Sequence, residues 1–346
     1  MKCTEYVTSQ PSWSRWHHRL HHQLINEPTL LPQGTRLLLA ISGGQDSMAL
    51  LGLLVDLKRI HQWEIHLWHG NHNWQNNSHF VSDQLNKWCT DLDFPLQIDS
   101  AEPTIKHSEE TARSWRYNQL EKMAKALNAD VVTGHTGTDQ AETMILQLAR
   151  GSDLAGLSGM RRQRPLNSKY RTGAKLIRPM LIFSREDTFK ICNELELPTW
   201  IDPSNQSPLY ARNRIRHEVL PILTNLYPGC AMRLANLAKR SAQITDVQME
   251  LVGEVLKKLT IEGGLDRGEL GSLSKPTRQM ILYQWIKNKE ISPPSSTILE
   301  QLSDRLRKGT PQGCCNITKG YSVIWNKQIV SFSQSKTTAK TEHQES

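Results

Sequence analysis

The stretch Arg36-Leu37-Leu38-Leu39-Ala40-Ile41-Ser42-Gly43-Gly44-Gln45-Asp46-Ser47-Met48-Ala49-Leu50 decides the fold. Its first half is an apolar run of strand length, and a strand that is apolar on both faces belongs inside a parallel sheet. Two glycines follow, and they let the backbone turn tightly and lie close to a ligand. Beyond them Leu50, Leu53, Leu54 and Leu57 recur at helical spacing, so the turn joins a strand to a helix. The first N–H groups of such a helix have no partner within it, and with the helix dipole they form an anion site. Ser42 and Ser47 add hydroxyl donors. Asp46 is out of place beside an anion unless a divalent cation such as Mg2+ lies between them, because hard cations take carboxylate and phosphate oxygens together. The loop lacks the Gly-Lys-Ser/Thr ending of a Walker P-loop.

Outward from this turn the texture alternates. Strands are predicted at 65–68, 96–100, 129–133 and 176–181, with helices at 79–90, 108–128 and 139–150. Ser184 opens a further helix with Asp187 at the capping-box position. Strands alternating with helices predict an α/β fold, a parallel sheet covered by helices on both faces, with ligands beyond the carboxyl ends of the strands. Residues 1–34 read as a leader helix and loop, with Trp13, Trp16, Leu20 and Leu24 on one face. His17, His18, His21 and His22 have no cysteine or carboxylate beside them and read as an exposed helix face rather than a metal site. This first domain is expected over 35–215. After it the alternation stops. Helices at 231–259, 275–289 and 297–308 and a hairpin within 315–332 predict a smaller, mainly helical domain over 216–332, and the polar tail 333–346 reads as disordered.

Composition narrows the class. A chain of 346 residues suits two domains. The net charge of +8 implies an anionic partner, with nucleic acid the leading class. Six scattered cysteines without a CxxC pair read as reduced thiols of a cytoplasmic protein. No apolar run is long enough to span a bilayer, and no secretory h-region precedes the first domain.

Further segments carry chemistry. His69-Gly70-Asn71-His72 follows the second strand. Glu109, Arg113, Arg116 and Tyr117 lie at helical spacing on one face; alone, they admit a surface ion pair and a packed tyrosine. Gly134-His135 precedes Asp139-Gln140-Ala141-Glu142-Thr143, where Asp139 serves equally as a helix cap. Arg150-Gly151-Ser152, Gly156-Leu157, Gly159-Met160, Arg178-Pro179, Asp202-Pro203-Ser204-Asn205 and Tyr210 to Arg216 follow.

The turn carries the SGGxDS signature of the PP-loop ATP pyrophosphatases. The whole ordered set resembles the tRNA(Ile)-lysidine synthases over about 36–225. Two departures stand out. The family's GHHxDDQ is here Gly134-His135-Thr136-Gly137-Thr138-Asp139-Gln140, and its HGLR is His72-Asn73-Trp74-Gln75.

The resemblance implies ATP-dependent attachment of free L-lysine to the wobble cytidine of isoleucine tRNA with a CAU anticodon. It assigns ATP to Ser42, Gly43, Gly44, Gln45, Asp46 and Ser47, and Mg2+ to Asp46. Arg113 with Arg212 or Arg216 is expected to offset charge on the transferring phosphate. Asp139 or His135, with Glu142, is expected to orient or deprotonate the lysine amine. Arg161, Arg162 and Arg164, followed by Lys169, Arg171 and Lys175, are expected along the tRNA backbone, with Arg233, Lys239 and Arg240 as a second basic group; either set reads equally as a solvated surface. A PP-loop tRNA thiolase or a small-molecule amidating ligase are the rival readings, and the lack of CxxC and the basic charge count against them. Oligomeric state is left open by the sequence.

Overall fold

In the computed structural model of the chain, the described residues are 13–71, 78–102, 109–167, 173–200, 210–292, 294–318 and 320–334, without the side chains of Ser78 and Glu109. The chain divides into two compact units, Met1–Ala242 and Gln243–Ser346.

In the first unit, β1 (Arg36–Ala40), β2 (Glu64–Asn71), β3 (Leu96–Ser100), β4 (Asp130–Thr133), β5 (Gln163–Pro165) and β6 (Lys175–Ile177) form one sheet in the order β3-β2-β1-β4-β6-β5. Every pairing is parallel except that of β5 with β6. The helices are α1 (Arg15–Asn26), α2 (Gln45–His61), α3 (Ser78–Asp91), α4 (Glu109–Leu127), α5 (Gly137–Ala149) and α6 (Arg185–Glu194).

Strand β1 explains the layering. Leu37, Leu38 and Leu39 are all fully buried. Successive side chains point to opposite faces, so Leu37 and Leu39 pack with Leu50, Leu53, Leu54 and Leu57 of α2. Leu38 packs on the other side with Trp68, Val131 and, from α4, Leu120 and Ala124. The central strand is thus buried by helices on both faces.

Four local expectations change. The strand predicted at 176–181 stops at Ile177, because Pro179 has no N–H for the ladder and opens a 3-10 turn, Pro179–Ile182. The basic segment beyond Met160 folds as the β5–β6 hairpin at the sheet edge, with Lys169 and Arg171 outside the described residues. The α1 histidines are not simply exposed: His17 is buried with Nε2 2.9 Å from Asp56, and His21 Nδ1 lies 3.0 Å from His61 Nε2.

The fourth change is the domain boundary. The expected division at 215/216 moves to 242/243. Ile215 and Leu220 bury themselves against Ala141 of α5, with Leu234 packed beside them, so this segment belongs to the first core. The long helix α7 (Cys230–Leu259) runs through the division.

The second unit contains α8 (Lys275–Lys287), α9 (Ser296–Arg305) and an antiparallel sheet. Its strands β7 (Thr260–Ile261), β8 (Gly264–Asp266), β9 (Gly313–Thr318), β10 (Tyr321–Trp325) and β11 (Ile329–Gln334) are ordered β7-β8-β11-β10-β9. The expected hairpin is the β9–β10–β11 part of this sheet. A separate core forms around Leu265, Leu282, Val323 and Val330 with Trp285 and Trp325. Ser333 and Gln334 end β11, and the rest of the tail lies outside the described residues. Among the described residues no helix is long and apolar enough to cross a membrane.

Candidate active site

The turn after β1 is built from backbone. Gly43 has φ +78°, and Gly44 caps α2 with no side-chain hydrogen bond. A Cβ on Gly43 would meet Val81 at 3.1 Å and Trp200 at 3.2 Å, so the turn is walled on that side. A Cβ on Gly44 would meet only Ser42 Oγ at 3.5 Å, which leaves the helix end open. No described residue accepts from the N–H groups of Gln45 or Asp46. An open helix N-terminus with unspent donors fits a phosphate group.

The serines maintain this shape. Ser47 is buried; its hydroxyl donates to Gly44 O at 2.8 Å and accepts from Ser42 N at 3.1 Å. The hydroxyl thus stitches the turn. The Gln45 side chain turns onto α6, its amide nitrogen donating to Arg185 O at 2.8 Å and Thr188 Oγ1 at 3.1 Å, and leaves its backbone N–H facing the turn. His69 braces the strand beneath, with Nδ1 donating to Ile41 O at 2.9 Å and Nε2 accepting from Ser82 at 3.0 Å. Gly134, at the end of β4, lets that strand pass the turn: a Cβ there would lie 2.6 Å from Asp46 O.

Asp46 accepts from the Thr188 hydroxyl and has Arg185 NH1 3.4 Å from Oδ2. Burial pushes its carboxyl above the ordinary aspartate value, and the charge of Asp139 adds to that; Arg185, Thr188 and Arg216 pull the other way. A carboxylate raised by burial and by a second carboxylate is one that a divalent cation would relieve. Among the described residues no three His, Cys, Asp or Glu side chains gather for a metal. Mg2+ needs only one or two carboxylates when phosphate oxygens and water complete its shell, so the donor set fits Mg2+ held together with a nucleotide.

Beside the turn, α5 presents Asp139 and Glu142 to two arginines. Arg212 and Arg216 are four residues apart, and a π turn, Ile215–Val219, carries the second of them. Arg212 donates from Nε to Glu142 at 2.7 Å and from NH2 to Asp139 Oδ1 at 3.0 Å. Arg216 donates from Nε to Glu142 at 2.6 Å and from NH2 to the same Asp139 oxygen at 3.0 Å. The other oxygen of Asp139 caps α5, accepting from Thr136 N at 2.8 Å and Thr136 Oγ1 at 2.9 Å. Asp139 is therefore both a cap and a member of an ion-pair network.

Burial alone would raise the Asp139 carboxyl, but Arg212, His135 and Arg216 outweigh it and hold it low, at about 2. Burial pushes His135 down to about 3, against the pull of Asp139, so the imidazole is neutral. A neutral imidazole and a carboxylate held low are both weak bases. Both remain able to orient an amine.

The two threonines that replace family residues have definite work. Thr136 caps α5, and Thr138 Oγ1 accepts from Arg185 N at 3.0 Å, which holds α6 against the site. Arg185 and Thr188 were not legible as site residues. Gln140 was also missed: its side chain ties α5 to the 158–160 loop through Met160 N at 2.7 Å and Met160 O at 3.2 Å.

The basic residues separate. Arg162 is held by Glu27, with NH1 2.6 Å from each carboxylate oxygen, and Arg161 donates to Ala242 O at 3.2 Å. Both are engaged by neighbouring protein groups. Arg164 donates from NH1 to Pro165 O at 2.8 Å and Leu166 O at 3.1 Å and lies over the Tyr117 ring at 5.3 Å, with Arg113 at 5.4 Å from the same ring. The His72–Gln75 and Asp202–Asn205 segments and the Glu109 side chain lie outside the described residues.

Comparison with known proteins accords with this geometry. A PP-loop domain family model matches residues 15–223. The chain is 50% identical to the tRNA(Ile)-lysidine synthase of Parasynechococcus marenigrum (strain WH8102), over 93% of this chain and 95% of that one. It is 41% identical to a tRNA(Ile)-lysidine synthase of Prochlorococcus marinus, over 94% of this chain and 98% of that one. Among solved structures it resembles the U34-tRNA thiolase NcsA from Methanococcus maripaludis, determined with its [4Fe-4S] cluster. The TM-score is 0.54 at 16% identity, covering 68% of this chain and 78% of that one, a likeness of fold alone. With a PP-loop domain over most of its length and relatives alike along nearly their whole length, the chain belongs to the tRNA(Ile)-lysidine synthase family of PP-loop enzymes.

Proposed function

We propose that this chain joins the ε-amine of free lysine to C2 of the wobble cytidine in isoleucine tRNA with a CAU anticodon, at the expense of ATP. The observation that carries this reading is the open, glycine-built helix end at the carboxyl edge of β1, set beside the buried carboxylates of α5. The cytidine O2 attacks the α-phosphorus of ATP and pyrophosphate leaves; the lysine amine then attacks C2 and AMP leaves with the oxygen. A carbonyl oxygen is a weak nucleophile, so positioning and charge neutralisation must supply most of the acceleration.

The backbone N–H groups of Gln45 and Asp46 hold phosphate oxygens, and Ser42 and Ser47 keep the turn in shape. Asp46 would hold Mg2+, whose charge offsets that of the phosphates. Arg113 and the Arg212–Arg216 pair offset charge on the transferring group. Asp139 and Glu142 attract the lysine ammonium, and neutral His135 orients the amine once its proton is lost. The segment after 215 supplies part of the RNA grip, and the location is cytoplasmic. The rival thiolase reading needs reactive sulfur, whereas burial pushes the Cys89 and Cys192 thiols up to about 12, which keeps both protonated.

The test is incubation with Mg·ATP, labelled lysine and CAU-anticodon isoleucine tRNA. Label joined to the tRNA with release of AMP is expected. Free label together with sulfur transfer from an added donor would contradict the reading.

A further inference from the structure

Arg178 stands immediately after β6 and is 2% exposed. One of its nitrogens, NH1, donates to Arg161 O at 2.8 Å, but its Nε is buried with no hydrogen-bond partner. A buried, unsatisfied guanidinium nitrogen is costly and calls for an explanation. The second unit offers a control within the same chain. Arg278 is 3% exposed, and its Nε is satisfied by Ser303 O at 2.8 Å while NH1 reaches Leu273 O at 2.7 Å. Arg278 has its donors spent on carbonyls and a serine hydroxyl, whereas Arg178 reaches one carbonyl and the Tyr117 side chain and leaves Nε unmatched.

The surroundings of Arg178 are cationic. Arg113 and Arg164 stack on Tyr117 at 5.4 and 5.3 Å. Burial would raise the Tyr117 phenol, yet Arg113, Arg178 and Arg164 together hold it below the ordinary tyrosine value. Among the described residues no carboxylate forms an ion pair with Arg113, Arg164 or Arg178. Three guanidinium groups gathered about one tyrosine, with no acid paired to them among the described residues, repel one another unless an anion joins them.

This cluster is separate from the nucleotide turn. Arg178 follows β6, and the turn follows β1, with β4 between them. Neighbouring strands lie about 4.8 Å apart, so the two sites are about 10 Å apart along the sheet edge. His135, at the end of β4, senses Arg178 electrostatically from the space between them.

We propose that Arg178, with Arg164 and the Tyr117 hydroxyl, forms a second phosphate subsite, which takes a backbone phosphate of the tRNA next to the target nucleotide. The inference rests on the tRNA reading above and adds a named contact to it. It gives the RNA a charged anchor on one side of His135 while ATP occupies the other side, so the base between them is positioned from both ends.

The experiment measures tRNA affinity as a function of salt for the full chain and for Arg178→Gln and Arg164→Gln, with binding of a non-hydrolysable ATP analogue measured without RNA. Each lost phosphate contact flattens the slope of log K against log salt by about 0.7 to 0.9. We expect R178Q to show that flattening and about tenfold weaker tRNA binding, with unchanged affinity for the nucleotide. Unchanged nucleotide affinity also reports that R178Q is folded, and the half-exposed R164Q repeats the test where folding is not at stake. Unaltered tRNA affinity and slope in both variants, while the parent binds tRNA, would overturn the subsite alone. Weakened nucleotide binding with unaltered tRNA binding would also overturn it, by assigning the anion to ATP. Failure of the parent chain to bind tRNA would instead remove the functional reading on which it rests.

Discussion

The nucleotide turn and the α5 network lie side by side but are made in opposite ways. The turn is backbone, open, and leaves donors unspent: Gly43 supplies a left-handed φ, Gly44 a helix end without a side chain, and Ser47 an internal stitch. The network is side chain and closed on itself: Asp139, Glu142, Arg212 and Arg216 satisfy one another at 2.6 to 3.0 Å. A backbone site needs no rearrangement to receive a phosphate. A closed ion-pair network exchanges partners instead, with an ammonium competing for its carboxylates and a phosphate for its arginines. In the proposed reaction, rigid preorganisation therefore serves the nucleotide and exchangeable charge serves the amine.

The largest effect should come from breaking the closed region. Glu142 is fully buried and serves both arginines. Glu142→Ala strands two guanidinium groups and should lower stability by about 3 to 5 kcal/mol, read by urea unfolding. A loss below about 1 kcal/mol would mean that the arginines find other acceptors and that the region is not closed.

In the open region, Asp46→Asn should cost activity rather than stability, with AMP formation falling by about a hundredfold or more and tRNA binding kept. Stability measured against pH without nucleotide sharpens the contrast, because the two aspartates have opposite signs. The folded value of Asp46 is raised above the ordinary 3.8, so its contribution is full below that pH and is lost as pH rises through the raised value. Asp139 is depressed to about 2, so its contribution is full above the ordinary value and is lost as pH falls from 3.8 through about 2. Asp46→Asn should gain on the parent as pH rises from 4, whereas Asp139→Asn should approach the parent only as pH drops toward 2. The same sign in both variants would contradict the assignment.

Gly43→Ala tests the turn itself. A left-handed φ of +78° and neighbours at 3.1 and 3.2 Å should cost about 1 to 2 kcal/mol of stability and weaken ATP binding while tRNA affinity stays. The smallest effect is expected from Ser47→Ala, which removes a bond to Gly44 O and should cost about 1 kcal/mol, visible as a modest fall in melting temperature.

Much of this was legible in the sequence because the signals are local. The β1 run reads as doubly buried because Leu37 to Leu39 leave no polar face, and the two glycines mark the turn within six residues. The Ser184 cap followed from spacing alone. The network was not legible as a network, since Arg212 and Arg216 lie 70 or more residues from their carboxylates and an Arg-rich run reads as surface. The ion pair of Arg162 was hidden for the same reason: its partner Glu27 lies 135 residues away, before the sheet begins. Gln45 and Ser47 were placed correctly in the turn but not oriented, because rotamers depend on α6 and on the strand floor. Arg178 beside Pro179 carried a faint signal, a charge at the end of an apolar strand. Its burial emerges only when β5 covers β6.

In the proposed reaction this turn hands the α-phosphorus of ATP to a base of the tRNA. That transfer is tested most directly by withholding lysine and supplying ATP labelled at the α-phosphate with the CAU-anticodon tRNA. The account predicts that label accumulates on the RNA and is released as AMP when lysine is added. Label that never reaches the RNA, although lysine still becomes attached when present, would contradict it.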